Sequence, residues 1–241
     1  MLPGFEGGSE LGRRAQAFAS LMGAKRAAIY GGTFDPLHNG HLKVARRVQK
    51  LFGLDELCFV PACVPPHKRG AGISSAFHRF AMLALATEQD EALRVSTLEL
   101  DNPERPYAVE TVAGMQEQLS AGDRLFFVMG ADSWSEITTW REWQRLLTLC
   151  DHIVVTRPGY ELNTAAAGLA VIDLRGKTDD EINVLVSESA SPRVFVTDAV
   201  FEDVSATAIR AAARQRDTDA LTRMVPREVA TYIEKYGLYR N

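Results

Sequence analysis

Cysteine is scarce in this chain of 241 residues: Cys58, Cys63 and Cys150 are its only three. They form no CxxC pair and no cysteine–histidine spacing of the zinc-binding kind. Cys58 and Cys150 fall inside apolar runs, where buried, reduced thiols are expected. Long apolar runs are lacking as well, and none reaches the ~18 residues that would span a membrane. Near the N-terminus Glu6, Glu10, Arg13 and Arg14 interrupt any secretory apolar stretch, so a cytoplasmic protein is expected. Nor is there an excess of positive charge. Lys and Arg total 27 against 31 Asp and Glu, a net charge of −4, which argues against a surface built for nucleic acid.

What is present is an ordinary globular balance, 46% hydrophobic and 24% charged, over a length that supports a sizeable core. Residues 1–24, rich in Gly, Ala and charge, read as a flexible tail, and 25–241 as a single domain. Short apolar runs recur at Ala27–Tyr30, Leu57–Val60, Leu93–Leu100, Leu125–Met129, Ile153–Thr156 and Val194–Thr197. Several lack polar alternation, the mark of strands buried on both faces. Helical patterns lie between them at Leu42–Phe52, Phe77–Thr87, Ala108–Leu119 and Trp140–Leu149. The alternation predicts an α/β fold with a doubly wound, mostly parallel sheet. Residues 160–192 resist assignment apart from one helix near Asp179–Glu188. Thr207–Tyr239 reads as two helices separated at Val225-Pro226.

The most informative string is Gly31-Gly32-Thr33-Phe34-Asp35-Pro36-Leu37-His38-Asn39-Gly40-His41, between the first strand and the first helix. Paired glycines let backbone N–H groups approach an anion, and the helix adds its positive end. His38 and His41, three apart, share one face of that first turn and could donate to a phosphate. Neither GxxxxGK[ST] nor GxGxxG is present, and HExxH is missing, so phosphate loops of the commoner kinds and a zinc site are not supported. A glycine pair before a helix is by itself most often a simple turn.

As a whole, the string resembles the GGTFDPxHxGH element of the nicotinate-nucleotide adenylyltransferases, within the HxGH nucleotidyltransferase superfamily. The resemblance runs from about Lys25 to Tyr239, leaving out 160–192. It implies a Rossmann-like nucleotidyltransferase fold. It also implies that His38 and His41 act on the ATP phosphates, with Gly31, Gly32, Thr33 and Phe34 lining the nucleotide site. Pro65-Pro66-His67-Lys68 resembles the family's PPHK loop, which places His67 and Lys68 on the acceptor, Lys68 also on the phosphates; taken alone it reads as a solvated basic turn. Arg105-Pro106-Tyr107-Ala108-Val109-Glu110-Thr111 is similar to the SYT-containing acceptor segment, with Pro106 for Ser and Ala108 for Thr. Tyr107 and Ala108 are thereby placed beside the pyridine.

Gly130-Ala131-Asp132-Ser133 matches the GADS element and puts Gly130 and Asp132 on the adenosine side, although Asp132 also suits a helix cap. Trp140, which begins a WxxW pair with Trp143, is implied to flank the nicotinate ring; by default either tryptophan is a core residue. Arg157, in an RPGY-like turn, is implied near the acceptor's phosphate. Val204-Ser205-Ala206-Thr207-Ala208-Ile209-Arg210 resembles ISSTxIR, so Ser205, Thr207 and Arg210 are implied at the β- and γ-phosphates. Ser205 is equally an ordinary N-cap.

The expected reaction transfers the adenylyl group of ATP to nicotinate mononucleotide, with Mg²⁺ carried on the phosphates and no protein metal ligand. Nucleic acid and membrane are not expected partners, and a homo-oligomer is left open. The rival readings are a related enzyme with another acceptor, such as nicotinamide mononucleotide or phosphopantetheine, or a CTP-using one, and a nucleotide-binding protein without catalysis. One pattern is independent of the resemblance. The glycine turn, Pro61 onward, Gly130–Ser133 and Arg157–Gly159 all directly follow apolar runs, the edge where open parallel sheets bind ligands.

Overall fold

The computed structural model describes residues 24–63, 73–101, 107–156, 168–187, 192–198 and 204–240. His67, Lys68, Pro106 and Arg157 lie outside them, as does the N-terminal stretch to residue 23. Seven strands form one sheet: β1 (Arg26–Gly32), β2 (Glu56–Pro61), β3 (Leu93–Val95), β4 (Arg124–Gly130), β5 (Asp151–Val155), β6 (Ala170–Asp173) and β7 (Arg193–Thr197). Their order is β3-β2-β1-β4-β5-β7-β6, and every pairing is parallel. The sheet is thus wound outward in both directions from β1 and β4. The crevice outside the carboxyl ends of these two strands is the topological switch point, where doubly wound sheets bind ligands.

The helices are α1 (Asn39–Phe52), α2 (Ala76–Thr87), α3 (Leu98–Asp101), α4 (Ala108–Gln116), α5 (Ala131–Ser135), α6 (Trp143–Leu149), α7 (Asp179–Ser187), α8 (Ala206–Gln215), α9 (Thr218–Met224) and α10 (Arg227–Tyr236). On one sheet face α1 buries Leu42, Ala45, Val48, Leu51 and Phe52, beside Ile182 and Val186 of α7. Arg47 clasps Asp179 through two bonds of 2.9 and 2.6 Å, joining these two helices. On the other face α4 and α6 contribute Val109, Val112, Leu146 and Leu147 against β4 and β5. A third cluster joins α2, through Met82, to α8, α9 and α10. Each fully buried Leu, Val or Phe contributes about 1.5–3 kcal/mol, so these clusters hold the strand ends in fixed register.

Several elements depart from the sequence expectations. The run Leu93–Leu100 is a strand only to Val95, because the chain turns into α3 at Leu98 once it has passed Phe59 of β2. Thr207–Tyr239 holds three helices rather than two: α8 ends on Arg216 at φ 57, and Asp217 caps α9 by accepting from the Ala220 amide at 2.9 Å. The tryptophan-led helix begins at Trp143, and Trp140 closes a short 3-10 turn, Ile137–Thr139. The helix from Ala108 stops at Gln116 rather than Leu119. Within 160–192 the described residues add the edge strand β6 and confirm a helix at Asp179.

Candidate active site at the sheet switch point

β1 delivers Gly31 and Gly32 to its carboxyl end, and the turn beyond them is built around an inverted phenylalanine. Phe34 takes φ 50, and its ring lies against Tyr30, Phe59 and His41 at 5.6, 5.4 and 5.1 Å between centroids. A Cβ on Gly32 would stand 2.8 Å from the Phe34 Cζ, so glycine here is a packing requirement. The following Asp35 is buried, and its carboxylate accepts from the Tyr239 hydroxyl at 2.8 Å.

His38 is the N-cap of α1, and His41 lies one turn into it. Their rings stack with centroids 3.7 Å apart, and the His38 amide donates to His41 Nδ1 at 3.3 Å. With Nδ1 accepting, the proton of neutral His41 resides on Nε2, a tautomer inferred from that bond. Burial, and secondarily the neighbouring His38, holds the His41 pKa well below the usual histidine value. His41 is therefore a neutral imidazole with an N–H donor at the positive end of a helix.

Beside it, β4 delivers Gly130, whose backbone opens α5. Gly130 itself is the N-cap, and nothing lies within 4 Å of the place a Cβ would take. Asp132 is exposed in the first turn and does not serve as the cap, which removes the competing role its sequence position offered. On the far side Ser205 caps α8, accepting from the Ala208 amide at 3.2 Å. Arg210, one turn in, donates to the Asp35 carbonyl at 2.7 Å and to Thr207 Oγ1 at 3.2 Å. Arg210 and Thr207 are thereby tied to the glycine turn. Trp140, Tyr107 and Ala108, expected on the acceptor side, pack near β4 residues as well. Trp140 packs edge-on to Phe127 with centroids 6.4 Å apart, Tyr107 occupies the N-cap position of α4 just before Ala108 without a side-chain capping bond, and the Arg141 guanidinium lies 4.8 Å over the Tyr107 ring.

The family model of cytidylyltransferase-like proteins matches residues 29–212, which spans both the histidine turn and Arg210. A relative from Thermus thermophilus, named "Probable nicotinate-nucleotide adenylyltransferase", is 37% identical over 215 residues, covering 89% of this chain and 100% of that protein. One of the same name from Citrifermentans bemidjiense is 33% identical over 214 residues, covering 89% and 98%. The chain belongs to the nicotinate-nucleotide adenylyltransferase family. Its fold is shared with the Plasmodium falciparum nicotinic acid mononucleotide adenylyltransferase complexed with NaAD, at a TM-score of 0.59 and 17% identity, covering 89% of this chain and 97% of that one.

Three residues of this family member escaped the sequence reading. Arg79 of α2 is 1% exposed, yet it donates to four carbonyls: Thr33 at 2.8 Å, Ala62 at 2.7 Å, Cys63 at 3.1 Å and Ser74 at 3.1 Å. Its signal was present in the helix period, since Arg79 shares the buried stripe with Met82 and Leu83 at spacings of three and four. Glu99, in α3, accepts from Thr111 Oγ1 at 2.9 Å and from the Cys63 amide at 3.3 Å. Thr111 thus spends its hydroxyl proton on Glu99. His152 of β5, wholly buried beside Phe127 and Trp134, makes no well-formed hydrogen bond through either ring nitrogen among the described residues. Nothing in the sequence distinguished these last two from ordinary polar positions.

Proposed function

We propose that the chain transfers the adenylyl group of ATP to nicotinate mononucleotide, giving nicotinate adenine dinucleotide and pyrophosphate. The observation that carries this reading is the meeting, at the β1–β4 switch point, of a neutral His41 stacked on His38 with the open Gly130 turn. In this reading the triphosphate lies along the α1 N-terminus with Gly31, Gly32, Thr33 and Phe34 beneath it. Adenosine lies against Gly130 and Asp132. The β- and γ-phosphates meet Ser205, Thr207 and Arg210 at the α8 N-terminus.

A phosphate oxygen of the mononucleotide attacks the α-phosphorus of ATP in line. A bond forms between that oxygen and phosphorus, the bond to the β-phosphate's bridging oxygen breaks, and pyrophosphate departs with the electron pair. The nucleophile is already anionic, so no general base is needed, and the residues act by positioning and charge neutralisation. His41 Nε2–H donates to the charge that builds on the transferred group, and His38 holds the ring in that tautomer. Lys68 is assigned to the same phosphates. Among the described residues no three His, Cys, Asp or Glu side chains gather into a metal-binding group. In this reading Mg²⁺ would be carried on phosphate oxygens and water, where it would neutralise the leaving pyrophosphate.

For the acceptor, Trp140 offers a flat face to the pyridine, with Tyr107, Ala108, His67 and Arg157 around it. α4 starts at Ala108 without a side-chain cap, and an uncapped positive helix end favours an acid over an amide. The test is pyrophosphate release from ATP and Mg²⁺ with nicotinate or nicotinamide mononucleotide, using His41→Ala as control. Preference for the acid, lost in the variant, is expected. Equal use of the amide would refute the acid preference, and silence with both acceptors would overturn the function.

A further inference from the structure

The peptide groups of Cys63 are gripped on both sides by charged residues, a buried arginine and a half-buried glutamate. Its carbonyl accepts from Arg79 Nη2 at 3.1 Å, and its amide donates to Glu99 Oε2 at 3.3 Å. Arg79 reaches in turn to Thr33 of the glycine turn, to Ala62 and to Ser74, while Glu99 reaches to Thr111 in α4. Cys63 and Ser74 flank residues 64–72, so one guanidinium holds the chain on both sides of the stretch that carries His67 and Lys68. Removing a guanidinium from water costs several kcal/mol, and such burial survives only where bonds replace the lost hydration. Here four carbonyls, with Asp35 and Glu99 as nearby negative charges, provide the replacement. Thr111, 4% exposed, is buried with the pair. Burial raises the Glu99 carboxyl, and the bonds from Thr111 and Cys63 oppose the rise.

We infer that Arg79 and Glu99 form a strut through the Cys63 peptide that couples the acceptor side of the site, at the start of α4, to the glycine turn on the ATP side. Both are positioning residues and touch no substrate. The asymmetry of the strut gives it a signature. Among the described residues Glu99 binds only the Cys63 and Thr111 side, whereas Arg79 also binds Thr33. Loss of Glu99 therefore weakens the acceptor alone, and loss of Arg79 weakens acceptor and ATP together.

The inference rests on the proposed function for its kinetic half, and a second readout is independent of it. Cys63 is the one cysteine of the three that is not buried; burial pushes the Cys58 thiol up to about 12 and the Cys150 thiol further. A thiol reagent such as 5,5′-dithiobis(2-nitrobenzoate), applied to the substrate-free protein, consequently reports on Cys63, with Cys63→Ala as the control that abolishes fast labelling.

Glu99→Ala should speed Cys63 labelling several-fold and raise the KM for nicotinate mononucleotide by about five- to tenfold, with the KM for ATP moving less than about twofold. Glu99→Gln should recover most of this, since its amide oxygen can accept from Cys63 and its NH₂ can donate to the Thr111 hydroxyl. Thr111→Val, of nearly the same shape, should show a smaller acceptor effect if Glu99→Ala folds poorly. Arg79→Lys should raise both KM values. The inference is overturned if Glu99→Ala lowers Tm but leaves labelling and acceptor KM unmoved, if both KM values rise equally, or if Glu99→Gln is as impaired as Glu99→Ala. Altered labelling in a protein that uses no pyridine mononucleotide would separate failure of the proposed function from failure of the strut.

Discussion

The ring of His38 lies parallel enough to that of His41, at 30° and 3.7 Å, to cover one face of it while the His38 amide holds its Nδ1. Tyr30 and Phe34 approach His41 at 6.2 and 5.1 Å, so aromatic surface displaces water around the imidazole. The two effects act together: one chooses the Nε2–H tautomer, and the other keeps the ring neutral. The pair is a preset donor rather than a proton carrier.

His41→Ala should therefore lower kcat by about 10²–10³, the usual effect of removing one donor to a developing negative charge, with a much smaller change in ATP binding. The pH profile gives a second check. The folded pKa of His41 lies well below the usual value, so protonation that would expel the His38 amide from Nδ1 occurs only in more acid solution. The kcat/KM profile should show no acid limb at 6.5 arising from His41, and activity should fall only well below it. A limb centred near 6.5 that His41→Asn removes would contradict the neutral-donor role.

Much of this site could be read from the chain because its parts occupy strand ends. Buried parallel strands lack alternation and announce themselves as apolar runs, and each run stops where the motif residues begin: Gly32, Pro61, Gly130 and Val155. β6 did not announce itself because Ala170–Asp173 is four residues long, sits at the sheet edge and stays largely exposed. Asp217 and Arg216 divided a stretch that composition alone made continuous, since αL is open to a non-glycine residue only where tertiary packing supports it. Arg79 and Glu99 have a different cause. Their partners are mainly backbone carbonyls and an amide, distant in sequence, and such partners leave no residue-type signature.

Two glycines in the site should respond in opposite ways to alanine. At Gly32 the added Cβ meets three Phe34 ring atoms between 2.8 and 3.1 Å, and that ring, 3% exposed, has Tyr30, Phe59 and His41 behind it. Gly32→Ala should destabilise by about 1–3 kcal/mol through overpacking, visible as a Tm lowered by several degrees, and should reduce kcat by displacing His41. At Gly130 the Cβ meets nothing and φ is −78, so Gly130→Ala should change stability by less than about 1 kcal/mol. Its KM for ATP should nevertheless rise, since the proposed function assigns that open space to the adenosine side of the nucleotide. An unchanged KM for ATP in a well-folded Gly130→Ala would remove Gly130 from the nucleotide site.

His152 makes stability, rather than catalysis, depend on pH. It is wholly buried in β5 against Phe127 and Trp134, and among the described residues neither ring nitrogen makes a well-formed hydrogen bond; the nearby backbone carbonyls of Leu146 and Leu147 only partly offset the burial. Desolvation lowers its pKa from 6.5 to about 4. Between these values the unfolded chain binds a proton that the folded chain refuses, so unfolding is favoured as pH falls from 6.5 towards 4. At pH 7 and above both states are neutral and the effect vanishes. Near pH 4.5 the loss amounts to about 2–3 kcal/mol, taking about 1.4 kcal/mol per pH unit. His152→Leu, similar in volume and without a titrating group, should remove that share of the acid sensitivity. It should also be neutral or stabilising at pH 7, because two poorly bonded polar nitrogens give way to apolar surface. Urea unfolding of both proteins at pH 7 and pH 4.5 measures the difference directly. Equal losses in the two proteins would mean that His152 is not the group being protonated on unfolding, and that the acid sensitivity belongs to groups such as His41.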